Sequence, residues 1–141
     1  MSIREYSMTR DSTRQLSPSF RVREFACKGS DVVLIDDELV VLLQCIREHF
    51  GKPVHITSGY RTAAHNAAVG GAPDSQHLRG EAADLHISNM EVGRKVFDFI
   101  RLHTDFDQLL FERRIKGGYW WLHVSFTTRR PNRHQAMLDW R

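Results

Sequence analysis

The chain has 141 residues, 41% of them hydrophobic and 26% charged, with a formal net charge of +3. That length suits one domain around a single core, and the composition is that of a globular protein. No apolar run approaches the roughly 20 residues that span a bilayer, and no Lys/Arg run is long enough for a nucleic-acid arm. Membrane insertion and nucleic-acid binding are therefore both set aside.

Residues 1–18 alternate charge with hydroxyl and end in Ser17-Pro18. They read as a flexible N-terminal leader or a peripheral strap, with the domain proper over residues 19–141. They hold no apolar h-region, so synthesis as a cytoplasmic chain without a signal peptide is expected, and a role outside the cell would need another exit route. Arg10–Arg14 and Arg129–Arg133 read as solvated ends.

Phe20 and Phe25 flank a short loop or turn that its aromatics pin to the core. Asp36-Asp37-Glu38 puts acids in a first helical turn, where they complement the helix dipole. Leu39, Leu42, Leu43, Ile46 and Phe50 then recur at helical spacing, and Gly51 stops the helix. Cys45 reads as part of that apolar row and as a buried thiol, and a disulfide to Cys27 is disfavoured in a cytoplasmic chain. Pro53–Thr57 is a β-rich run, and Ser58-Gly59 turns it towards a helix over Thr62–Ala68.

The Gly70-Gly71-Ala-Pro73 loop delivers His77. A buried strand follows over residues 82–87, then a helix from Met90 to His103 with Val92, Val96, Phe97, Ile100 and Leu102 inward. Gln108–Glu112 reads as a strand, Lys116–Gly118 as a hairpin turn, and Tyr119–Phe126 as a second strand carrying His123. The order predicts a single α+β domain, an antiparallel sheet flanked by helices, acting as a monomer.

His77, Asp84 and His123 offer two imidazoles and one carboxylate. Structural zinc sites are closed by four protein ligands, whereas catalytic ones keep three and leave the fourth place to water or substrate. Those residue types point to hydrolysis. The bland alternative is chance, since eight histidines make a His seven residues from an Asp unremarkable.

The ordered set Pro53-Val-His-Ile-Thr-Ser-Gly-Tyr-Arg61, Val69-Gly-Gly-Ala72, Ser75-Gln-His77, Gly80, Ala83-Asp84 and Trp121-Leu-His-Val-Ser125 resembles the M15 zinc peptidases of peptidoglycan metabolism, the D-Ala-D-Ala carboxypeptidase-like branch above all. The resemblance spans roughly residues 20–127. It implies the small α+β fold shared with the hedgehog signalling domain, Zn2+ held by His77, Asp84 and His123, and peptidoglycan stem peptides as substrate. The activity it implies is that of a D-Ala-D-Ala carboxypeptidase or a murein endopeptidase, phage-lysin-like, reaching the cell wall by a separate export or lysis route. It also places Arg61 in the substrate cleft, where a guanidinium fork matches a carboxylate. Ser75 and Gln76 either bind substrate or fix the His77 loop.

In several branches an acid stands three positions before the last His; here Trp120 occupies that place. Glu112 is then the leading general base, against a surface or salt-bridged carboxylate, with Glu81 and Asp107 behind it. Tyr60 and Trp121 are cleft wall or core. His55, His65 and His86 read as core or surface imidazoles, although His86 shares a strand face with Asp84. The competing reading is a non-catalytic, metal-stabilised module that binds murein or a phage structural partner.

Overall fold

A computed structural model describes residues 2–114 and 118–140. In chain order the elements are β1 (Ile3–Ser7), α1 (Met8–Asp11), β2 (Gln15–Ser17), β3 (Phe20–Arg21), β4 (Val32–Asp36), α2 (Asp37–Phe50), β5 (Ile56–Ser58), α3 (Ala63–Ala68), β6 (Ala82–Ile87), α4 (Met90–His103), β7 (Gln108–Arg114), β8 (Tyr119–Ser125) and β9 (Gln135–Trp140). Two 3₁₀ turns, Val22–Phe25 and Gln76–Arg79, complete them.

The main sheet has the order β5-β6-β8-β7-β9, with β6, β8 and β7 at its centre. Side chains alternate across a pleated strand. Leu85 and Ile87 of β6, Leu122 and Val124 of β8, and Leu109 and Phe111 of β7 all belong to one buried core, together with Leu39, Leu43 and Ile46 of α2 and Val96 and Ile100 of α4. The intervening residues form the opposite face, which carries Asp84 and His123. Gly93 lets α4 lie this close, because a Cβ there would meet the Phe111 ring at 2.2 Å.

The α2 boundaries follow local chemistry. Asp36 accepts from the Glu38 amide at the N-terminus, and Gly51 adopts the left-handed conformation, φ 64°, at the other end. Thr62 caps α3 and Asn89 caps α4 in the same way. The expected α+β domain, its helices and its antiparallel central strands are all present.

Several expectations are corrected. The stretch 1–18 takes the strap form rather than that of a loose leader: β1 pairs antiparallel with β4 and buries Tyr6. Cys45 is exposed, since it follows Val41, 61% exposed, one turn on along the outer stripe of α2. In α4, Val92 and Leu102 face solvent, and Gly93 and Phe99 take the inward places. The sheet also gains an unforeseen edge strand, β9, which runs parallel to β7. The hairpin turn expected at Lys116–Gly118 falls mostly outside the described residues; Gly118 itself has φ 68°. Among the described residues, no helix is long and apolar enough to cross a membrane.

Candidate metal centre

Three elements bring the cluster together. His77 sits in the 3₁₀ turn, whose N-terminal Ser75 accepts a hydrogen bond from the His77 amide through its hydroxyl. The turn ends on Gly80, φ 73°, where a Cβ would lie 2.1 Å from the Leu34 carbonyl oxygen, so no other residue fits. Asp84 and His123 are cross-strand partners on β6 and β8 and therefore share a face. His77, Asp84 and His123 each offer a donor atom, and these atoms lie within 4.8 Å of one another.

The donor set suits a cation. His77 Nε2 lies 3.3 Å from Asp84 Oδ1, and His123 Nδ1 lies 2.9 Å from the same oxygen. Ligand atoms around a tetrahedral zinc stand about 3.3 Å apart at usual bond lengths. His77 Nδ1 is 2.7 Å from the Gly59 carbonyl oxygen, which only an N–H can satisfy. Donation there holds the ring with Nε2 towards Asp84, the arrangement that orients a metal-binding imidazole. Arg61 Nη2 donates to Asp84 Oδ2 at 3.0 Å, which leaves Oδ1 for the ion.

Burial alone would raise the Asp84 pKa. Contacts with His123 and His77, and their charges, outweigh it and hold the carboxyl well below the usual range. Asp84 is therefore an anion in a nearly dry site.

Arg61 is turned inwards. Its side chain is 14% exposed and also donates to Ser58 Oγ at 3.0 Å and Asn66 Oδ1 at 3.3 Å, so three of its N–H groups serve the protein. Ser75 and Gln76 fix the loop, the former as cap and the latter by donating its side-chain amide to Glu81 Oε1. Glu112 lies on the metal face, buried, and diagonal to His123, because its own cross-strand partner is Trp121. Trp120 points to the helix-covered side, 5.4 Å from Phe111 between ring centres, under the Arg113 guanidinium.

Glu81 and Asp107 belong elsewhere. Glu81 accepts two bonds from Arg129 at 2.8 Å and one from Thr127 Oγ1. Asp107 accepts from both Arg130 and Arg133 and from the Arg133 amide. Arg129–Arg133 is thus a clamp on buried acids, not a solvated end. The available signal was Glu81 itself, a charge between Gly80 and two alanines, which burial obliges to find a partner.

His86 is exposed and meets the His55 ring edge-on at 6.3 Å; both stand at the rim of a groove of about 430 Å³ between β6, α2 and α4 that contains none of the three ligands.

The family model for peptidase M15 matches residues 18–125. The chain belongs to the peptidase M15 family. A zinc D-Ala-D-Ala carboxypeptidase of Streptomyces albus G is 46% identical over 44 residues, which is 30% of this chain and 17% of that relative. The stretch thus spans less than a fifth of the relative's length. The matched region of this M15 domain contains the 3₁₀ turn and the three central strands, and so all three donors and Glu112.

Proposed function

We propose that the protein is a zinc peptidase that hydrolyses a peptide bond in peptidoglycan stem peptides, with the D-Ala–D-Ala bond as first choice. The observation that carries this reading is the His77–Gly59 hydrogen bond, which aims Nε2 at Asp84 Oδ1 within a compact, largely buried three-donor set. The M15 membership and the name of the carboxypeptidase relative support the substrate class.

His77, Asp84 and His123 would hold the zinc, which would supply Lewis-acid polarisation of the scissile carbonyl and a more acidic attacking water. Glu112 receives the proton of that water as its oxygen bonds to the carbonyl carbon. It then returns the proton to the leaving nitrogen as the C–N bond breaks. Cross-strand diagonals put such side chains about 7–8 Å apart at their origins, within reach of a water between a ligand and a long acid. Arg61 fixes Asp84 in its orientation, and its remaining N–H groups are left for a substrate carboxylate.

Purified protein loaded with zinc and incubated with a stem pentapeptide should yield product masses short by one alanine, and a chelator should abolish them. His77→Ala, Asp84→Ala and His123→Ala should each lose most of the bound metal and all turnover. Stoichiometric zinc with no product from any stem peptide would favour the murein-binding module instead.

A further inference from the structure

The metal face does not end at the ligands. Tyr119, Trp121 and His123 alternate along β8 and so stand in one row, with Arg114 opposite Tyr119 and both Glu112 and His86 flanking Trp121. Two residues along a strand cover about 7 Å, so the two rings extend the site by about 7 and 14 Å from His123. Their centroids are 5.8 Å apart at 38°, and Tyr119 is 51% exposed. The Arg114 guanidinium lies over one face of the Tyr119 ring, 5.9 Å from its centre, which leaves the opposite face for a ligand, and His86 is exposed on the other side of Trp121.

We propose that the Tyr119–Trp121 row is a sugar subsite, which stacks a pyranose ring of the glycan strand that carries the stem peptide. This rests on the peptidase reading above. The row lies in the middle of the sheet, where β8 is hydrogen-bonded on both sides, to β6 and to β7. At Trp121 both neighbours are in register, His86 on β6 and Glu112 on β7, so an extended peptide finds no ladder to join there; Tyr119, beyond the last β6 pair, is opposed by Arg114 alone. Tyr119, half exposed, beside the partly buried Trp121 suits a partner with one apolar face and a rim of hydroxyls. A pyranose has that shape, and Arg114 and His86 stand where its hydroxyl or acetamido groups would project.

The test uses the full chain and two substrates, a stem peptide alone and the same peptide on its disaccharide. Wild type should show a KM about tenfold lower for the sugar-bearing one, the effect of a single good stacking contact. Tyr119→Ala should bring the ratio of the two KM values close to one, and Tyr119→Phe should restore it, since the ring and not the hydroxyl does the stacking. Separately, the peptide-free disaccharide should shift the Tyr119 and Trp121 ring resonances. Equal KM values in wild type, or a ratio that Tyr119→Ala leaves untouched, would overturn the subsite while leaving the peptidase reading intact. Ring shifts with the disaccharide, but no cleavage of either peptide, would support the subsite and remove the peptidase.

Discussion

Two groups of buried carboxylates make an instructive contrast. Glu81 and Asp107, both fully buried, are answered by arginines: Arg129 for the first, Arg130 and Arg133 for the second. Asp84, nearly as buried, is answered by Arg61 on one oxygen and by two imidazoles on the other. An arginine never gives up its charge or coordinates an ion, so a carboxylate closed by arginines is structure. A carboxylate shared with imidazoles can exchange their protons for a metal, and that is the chemistry of a site. Cost of burial is common to both regions; the identity of the partner separates them.

The sharpest way to break the contrast is Glu112→Gln. It keeps size and hydrogen-bonding shape but removes the basic oxygen, and turnover should fall by about 10²–10⁴-fold with zinc content and thermal midpoint unchanged. Full activity would remove Glu112 from the chemistry, and a large loss of stability would move it into the structural group.

Arg129→Met should do the reverse, lowering the thermal midpoint of zinc-loaded and zinc-free protein alike. Breaking a buried pair costs about 3–5 kcal/mol, lessened here because the Arg129 side chain is 32% exposed. For a chain of this size that is a fall of roughly 6–12 °C, readable by calorimetry. No shift would mean that Glu81 needs no arginine.

Acid should test what the two groups have in common. Burial opposes ionisation of Glu81 and Asp107, but their arginine and hydroxyl bonds prevail and leave both below their usual pKa. A lowered folded pKa stabilises above the unfolded value, about 4, and that stability is lost as pH falls through the folded one. In zinc-free protein the denaturant midpoint should hold from pH 7 to about 5 and decline below about 4. A midpoint that stays flat through pH 4 would remove these carboxylates from the stability.

Much of this was legible in the sequence because it is local. The Met90–His103 helix has the predicted ends because Asn89 caps it and its apolar period is strong, and the strand over residues 82–87 was announced by its small apolar run. His77, Asp84 and His123 could be chosen because two imidazoles and a carboxylate suit an open zinc site and because their order in the chain matched a family. Glu112 could be suggested from the hairpin, but only the observed register, Glu112 opposite Trp121, puts it on the metal face. Pairing was what the chain order hid. The strap formed by β1 depends on β4 some thirty residues on, and β9 depends on β7. The turn of Arg61 towards Asp84 and the grip of Arg129 on Glu81 are contacts across 23 and 48 positions. Periodicity and propensity act within a few residues, so they fix the elements and the residue types; which charges meet inside is decided only when the sheet closes and burial obliges each one to find a partner.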